Sequence, residues 1–412
     1  MQLWQAMLEG LVQGLTEFLP VSSKSHLVFA NFFMGIRLSD SDTVFFDVML
    51  HWGTLVAVLA FFYQDVLALL RGAGQLIVHP KQAWAENTQS RLFVYLLLGT
   101  IPAGLVYIPL KHFLEAAFEN VPGTAVMLLV TACMLFWISR RRSGDRTLRS
   151  MTWRDAVLIG CCQAAALLPG ISRSGSTITG GLFRGLDRDT APRFSFLLAI
   201  PVILAAGLLK IKDAATLGIS PSLSLPTLAA GFIVAAVSGY FAIGWLLRVV
   251  QRGRLDIFGY YCAVVGIGML AFWTLLVPKI DANSIMVKTG RETYTVNRTT
   301  DEIGNLELGE RVRFAVNVTP GLVAIAQVSA EIPAPAGSPF SVTAGAKFPP
   351  AAGGRTFLSE EYQLRPMGDR YAPSAAGDLR DVWVVVRNRW GITNQVRVRL
   401  RVVPESLQRC TG

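Results

Sequence analysis

Six apolar stretches of bilayer-crossing length, at 44–64, 91–110, 123–139, 192–210, 225–247 and 257–277, dominate residues 1–277 of this chain. A helix crosses the hydrocarbon of a membrane with about 20 predominantly apolar residues. Composition agrees: charged residues make up 16% of the 412, against about 25% in a soluble domain. From about Pro278 onward the pattern changes to short alternating segments rich in Pro and Gly. The chain therefore reads as a membrane domain, 1–277, followed by a soluble β-rich domain, 278–412.

Two further regions, 1–36 and 153–186, are apolar only in part, each interrupted by a polar Gly/Ser/Pro break. Each reads as a re-entrant helical hairpin. Irregular backbone at membrane depth is tolerated only where protein or a wet cavity surrounds it, so the breaks are where a site is to be sought. The order of elements repeats, a broken hairpin and then three spans, twice over. Gly10, Gln13, Leu19-Pro20 and Ser23 answer Gly160, Gln163, Leu168-Pro169 and Ser172. With an odd number of spans in each half, repeats of about 1–139 and 150–277 must lie in opposite orientations, as in inverted-repeat transporters whose sites form from discontinuous helices. The expected fold is thus an all-α polytopic membrane protein with inverted repeats, six transmembrane helices plus two re-entrant hairpins, and then a small β-sandwich-like domain. Alternation at 306–318, 382–387 and 396–402 marks its strands.

From Lys279 onward the chain holds 17 Lys+Arg and 13 Asp+Glu, so +4 of the formal net charge of +10 lies in the tail and +6 in the membrane part, whose basic residues cluster in loops, among them Arg140, Arg141, Arg142, Arg146, Arg149 and Arg154. Without aromatic interleaving or a binding motif, this is not a nucleic-acid surface. By the positive-inside rule it places 140–153 and 248–256 in the cytoplasm, along with Arg71, Lys81 and Arg91. The hairpin 1–36 then enters from outside, 153–186 from inside, and the tail emerges on the outer side of the membrane. Cys133, Cys161, Cys162, Cys262 and Cys410 show no metal or disulfide spacing. The N-terminus lacks the basic region and cleavage site of a removable signal peptide.

The first break reads Gln13-Gly-Leu-Thr-Glu17-Phe-Leu-Pro20-Val-Ser22-Ser23-Lys24-Ser25-His26, the second Pro169-Gly170-Ile-Ser172-Arg173-Ser174-Gly175-Ser176-Thr177. Ionisable groups in a membrane are functional candidates by default, which singles out Glu17, His26 and Arg173. Arg173 offers a permanently charged fork for phosphate oxygens, and the Gly/Ser-rich break can present backbone N–H groups to an anion. Ser172, Ser174 and Thr177 can donate hydroxyl hydrogen bonds. Gln13 and Glu17, four apart, share a helix face and can hold Mg²⁺ with substrate oxygens. Ser23 and His26, three apart, also share one and can serve as nucleophile and base. Direct attack by His26, or by water that His26 activates, remains open. Arg184, Arg188 and Arg193 read as loop charges, and His51, His79 and His112 as structural.

Both breaks resemble the signatures of the undecaprenyl-pyrophosphate phosphatase family of the BacA/UppP type: Glu or Gln, three residues, Glu, then Phe-Leu-Pro-Val-Ser-Ser with a nearby His, and Pro-Gly-x-Ser-Arg-Ser-Gly-x-Thr. The resemblance covers about 1–277. It implies conversion of a C55 isoprenyl pyrophosphate to the monophosphate, recycling of the cell-wall lipid carrier, bacitracin resistance, and dependence on Mg²⁺ or Ca²⁺. It implies Glu17, Ser23, His26 and Arg173 as catalytic, Ser22, Ser172, Ser174, Gly175 and Thr177 as substrate-binding, and Glu17 with Gln13 as metal ligands. Gln13 takes the less acidic option, and Lys24-Ser25 stands where many relatives have a small residue and Gly. The tail resembles the β-sandwich region of the DUF58 family in Arg387-Asn-Arg-Trp-Gly-Ile392 and its final strand. Expected partners are the lipid pyrophosphate, the membrane and a second copy of the chain. The competing readings are a lipid-phosphate transporter or flippase using the same repeats, and a resistance factor that sequesters lipid without chemistry.

Overall fold

A computed structural model describes residues 1–34, 36, 40–118, 120–216 and 223–277, with side chains for all of these except 40–44, 112, 115–118, 213–216 and 276; beyond 277 it describes the backbone of ten strands. The chain divides into two compact units, Met1–Leu270 and Ala271–Gly412.

The first unit is helical. Its elements are α1 (Leu3–Phe18), α2 (Ser23–Met34), α3 (Asp40–Phe61), α4 (Tyr63–Val78), α5 (Pro80–Glu86), α6 (Thr88–Phe118) and α7 (Val121–Ser139), then α8 (Trp153–Ala165), α9 (Arg173–Phe183), α10 (Thr190–Thr216), α11 (Leu225–Gln251) and α12 (Asp256–Leu276). Five of them, α6, α7, α10, α11 and α12, are long and apolar enough to cross a membrane; counting the bent pair α3–α4 as one span makes six. The chain is a multi-pass membrane protein. Pro102 and Pro109 in α6 and Pro201 in α10 are the helix breakers that membrane helices tolerate.

The apolar stretch 44–64 does not run straight through. Helix α3 stops at Phe61 and α4 leaves at 85°. Just beyond the turn, in the first turn of α4, the carboxylate of Asp65 pairs with Arg193 of α10. The amphipathic α4 lay hidden from a search for apolar runs because polar residues interrupt it.

Helix α1 has its polarity inside out. Leu3, Trp4, Met7, Leu8, Leu11 and Leu15 are exposed, while Glu9, Gly10, Gln13, Gly14, Thr16 and Glu17 are buried. Such a helix is stable only in an apolar surround, with small residues admitting its neighbour's backbone. A β-carbon at Gly10 would lie 2.5 Å from the carbonyl oxygen of Gly231 on α11. The same closeness recurs where α8 crosses α6, since a β-carbon at Gly160 would lie 2.5 Å from the oxygen of Gly99. Both α1 and α8 open with a capping box, on Gln2 and Thr152, which satisfies N–H groups that a helix start leaves free.

At the loop end of α8 and α9, the fully buried carboxylate of Asp155 accepts from Arg146 Nη2 at 2.5 Å and Arg184 Nε at 2.6 Å, and from the N–H and hydroxyl of Thr152, both at 2.8 Å. Burial pushes this carboxyl up, but the donations from Arg146, Thr152 and Arg184 outweigh it and hold it well below the usual carboxylate range. Arg184, read from sequence as a loop charge, thus ties the end of α9 to the start of α8, and Arg146 ties both to the preceding loop.

In the second unit the strands are β1 (Lys279–Thr289), β2 (Thr293–Thr295), β3 (Glu302–Glu307), β4 (Arg311–Thr319), β5 (Ile325–Glu331), β6 (Ala346–Lys347), β7 (Thr356–Leu358), β8 (Tyr362–Gln363), β9 (Asp378–Asn388) and β10 (Thr393–Val403). One sheet runs β2-β1-β4-β7 with β8 also on β4; the other runs β3-β10-β9-β5-β6. The alternating run 306–318 covers the end of β3 and most of β4, and 382–387 and 396–402 fall in β9 and β10. Arg389-Trp390-Gly391-Ile392, part of the run that resembles DUF58, lie outside the described residues.

Candidate active site

The two breaks meet. The first interrupts α1 and α2 at Leu19-Pro20-Val21-Ser22, and the second interrupts α8 and α9 at residues 166–172. Ser174 Oγ donates to the carbonyl of Leu19 at 3.0 Å, and Cys262 Sγ of α12 lies 3.7 Å from the carbonyl of Pro20. Arg173 Nη2 donates to Glu17 Oε1 at 2.7 Å across 156 residues of sequence. Ser23 Oγ donates to Glu17 Oε2 at 2.7 Å, and Gln13 Nε2 to the same oxygen at 3.1 Å. Glu17 is therefore the hub, joining a hydroxyl from one break to a guanidinium from the other. All of these groups are buried or nearly so.

Two atoms of this cluster are buried without a protein partner: Arg173 Nη1 and Gln13 Oε1. Uncompensated buried polar atoms cost roughly 1–3 kcal/mol each, and their clustering at one point marks the place for a polar ligand: a donor for an anion on one side, an oxygen for a cation on the other. At the start of α9 the N–H groups of Arg173 and Ser174 precede the first intrahelical bonds, while those of Gly175 and Ser176 go to Ser172. Among the described residues no three of His, Cys, Asp and Glu gather to hold a metal unaided.

His26 is held by groups other than Glu17. Its Nδ1 lies 2.9 Å from the carbonyl of Ser22, and its Nε2 lies 2.8 Å from the hydroxyl of Tyr261 on α12. The spacing of Ser23 and His26 puts them near one another, but the hydroxyl of Ser23 goes to Glu17 and both ring nitrogens are engaged with other groups. Ser22 stands at φ +66°, in the left-handed region, and its hydroxyl accepts from Ser25 at 3.0 Å.

The remaining site residues build the second break. Ser172 caps α9, accepting from Gly175 N at 3.1 Å, and its own N–H donates to Thr131 of α7 at 3.1 Å. Thr131 in turn donates to the carbonyl of Gly170 at 2.9 Å. Thr177 reaches the carbonyl of Arg173 at 2.8 Å and Ser195 of α10 at 2.6 Å. Gly175 gives room: a β-carbon there would stand 3.3 Å from Pro20. The hydroxyls of Ser172, Ser174 and Thr177 thus hold the loop in shape around Arg173. Sequence reasoning missed Thr131, Tyr261 and the nearness of His51 to Glu17. Only His51 carried a visible signal, as an ionisable group in an apolar run.

A helical bundle whose α1 is inside out, with a buried serine–carboxylate–guanidinium cluster between two broken helices, defines a multi-pass membrane protein with a polar site among its helices. The site belongs to the half of the molecule where comparison with known proteins is sharpest. The chain belongs to the family described as bacitracin resistance protein BacA, which matches residues 6–268. It is 41% identical over 269 residues to an undecaprenyl-diphosphatase of Methanosphaera stadtmanae, covering 64% of this chain and 95% of that protein. It is 42% identical over 275 residues to one of Methanobrevibacter smithii, covering 65% and 96%, and 39% identical over 267 residues to one of Halothermothrix orenii, covering 65% and 96%.

Proposed function

We propose that this chain is an undecaprenyl-diphosphatase, hydrolysing the lipid diphosphate to its monophosphate. The observation that carries the reading is the Ser23–Glu17–Arg173 array, in which a hydroxyl and a guanidinium, the latter with a buried unpaired N–H edge, meet on one carboxylate. A transporter needs no nucleophile set against a base, and the relatives are named for hydrolysis. The test is release of inorganic phosphate from purified lipid diphosphate in detergent. Binding or translocation without phosphate release would overturn the reading.

Phosphoryl transfer needs an attacking group in line and neutralisation of the phosphoryl charge. Arg173 Nη1 and the N–H groups at the start of α9 hold the terminal phosphate. Ser23 Oγ attacks its phosphorus and passes its proton to Glu17 Oε2. The bridging P–O bond breaks and the lipid monophosphate leaves. Water, losing a proton to Nε2 of His26, then attacks the phosphoserine; the P–O bond to Ser23 breaks, Glu17 returns its proton to the Ser23 oxygen, and His26 passes its proton to the departing inorganic phosphate. The base for the first step moves from His26, as the spacing alone favoured, to Glu17, because that is where the hydroxyl of Ser23 points. With the Gln13 amide turned so that Oε1, buried here without a protein partner, faces Glu17, these two oxygen ligands would hold a hard cation, Mg²⁺ or Ca²⁺. When bound, that ion supplies charge neutralisation on the diphosphate.

The same proposal extends to architecture. Repeats of 1–139 and 150–277 in opposite orientation are supported by the paired crossings, Gly10 on Gly231 and Gly160 on Gly99, and by the buried unpartnered Oε1 of both Gln13 and Gln163. The tail, 278–412, is read as a β-sandwich on the outer face. A reporter fused after residue 280 is expected to be active only outside the cytoplasm, and cytoplasmic activity would reverse the orientation.

A further inference from the structure

We infer that Tyr261, on the last helix of the second half, is a positioning residue that fixes the tautomer and ring plane of His26. The inference rests on the reading of His26 as a base. A carbonyl oxygen only accepts, so the Nδ1 that lies 2.9 Å from the carbonyl of Ser22 carries the hydrogen. In the neutral ring Nε2 then holds the lone pair, and the phenol of Tyr261, 2.8 Å away, donates to it. The tautomer is thereby set from both ends, and Nε2 is the basic nitrogen.

The plane is set as well. The rings of His26 and Tyr261 stack with centroids 5.5 Å apart and 12° between planes, so rotation about χ2 of His26 would break the stack and both hydrogen bonds together. Helix α12 cannot drift from this contact without disturbing its neighbour Cys262, which is buried against the carbonyl of Pro20. Residues 261 and 262 thus brace the first break at two successive points, one at its histidine and one at its proline. Tyr261 is itself 45% exposed, so the phenol has room to swing from Nε2 when a water or a phosphate oxygen arrives. Ordering an imidazole from a second hydrogen-bonding group is the role that outer partners play around metal-ligating histidines, where their loss costs about 10–100-fold.

The test is a double-mutant cycle on the full chain in detergent, read as kcat and KM for phosphate release from the lipid diphosphate. Tyr261→Phe keeps the stacked ring and removes the hydroxyl. It is expected to lower kcat about 10-fold or more with KM within about twofold. Tyr261→Leu, which also removes the stack, should lower it further. In a His26→Ala background, Tyr261→Phe should cost nothing more. Equal cost in both backgrounds, or a rise in KM with kcat unchanged, would overturn the positioning role. If His26→Ala itself keeps near-normal turnover, the assignment of His26 as base fails instead.

Discussion

Replacing Arg173 by lysine keeps the charge and removes the fork. The guanidinium does two things at once: Nη2 holds Glu17 Oε1 at 2.7 Å, and Nη1 is buried with no protein partner, ready for a phosphate oxygen. An ammonium is a single point and can serve one of these, not both. If it stays on Glu17, the transferred phosphoryl loses a preorganised donor; loss of one such donor elsewhere costs roughly 2.7–4 kcal/mol of transition-state stabilisation, or about 10²–10³ in kcat. If it moves to the phosphate, Glu17 is released and the base is no longer held against Ser23, with a similar penalty. Either way Arg173→Lys is expected to turn over at about one hundredth of the wild-type rate. The pair is largely buried, with side-chain exposures of 17% for Arg173 and 8% for Glu17, and removal of one partner of a buried pair destabilises by roughly 3–5 kcal/mol. Lysine avoids most of that by retaining the charge. The assay is phosphate release at saturating lipid diphosphate, with thermal melting in the same detergent as a control for folding. A variant that melts normally and turns over within about threefold of wild type would refute the role given to the fork.

Acid quenching during turnover is expected to trap phosphate on Ser23, an acid-stable ester, and Ser23→Ala should abolish both trapping and turnover. Trapping that survives only a basic quench would point to His26 as the attacker instead. EDTA should stop phosphate release and Mg²⁺ restore it, while Gln13→Glu should bind the ion as well or more tightly; full activity in chelator would remove the ion from the reaction. Asp155→Asn should lower the melting temperature at neutral pH, because two arginines lose their shared anion. The carboxyl of Asp155 is depressed in the folded state, so its contribution is complete above the ordinary carboxylate pKa of about 4 and lost as pH falls through the lower folded value. Melting of the wild type that weakens between pH 8 and pH 6 on account of this residue would contradict that sign.

The spans were legible because an apolar run of membrane length has few other uses, and five of the six returned as straight candidates. The turn at Phe61 was not, since no Gly or Pro marks it, and the partner that Asp65 meets just beyond it, Arg193, lies 128 residues away. Within the site, Gln13 and Glu17 could be placed together from helical spacing alone. The meeting of Glu17 with Arg173 required the repeat, an argument from symmetry rather than from spacing. Ser23 and His26 show where spacing misleads: helical offset sets which residues are neighbours, but side-chain direction is decided by acceptors that come from elsewhere, here the carboxylate of α1 and the phenol of α12. Tyr261 itself is one tyrosine among several in apolar helices, and nothing local distinguishes it.

Ser22 has a consequence beyond its own geometry. A serine at φ +66° sits where a β-carbon costs roughly 1–2 kcal/mol and glycine costs little. A screen for heat resistance alone would therefore enrich Ser22→Gly. Yet the carbonyl of this residue is the one that holds the Nδ1 hydrogen of His26, and a freer backbone would let it wander. Robustness and catalytic readiness pull in opposite directions at a single torsion angle, so the hardiest version of this protein and the fastest one are expected to be different sequences.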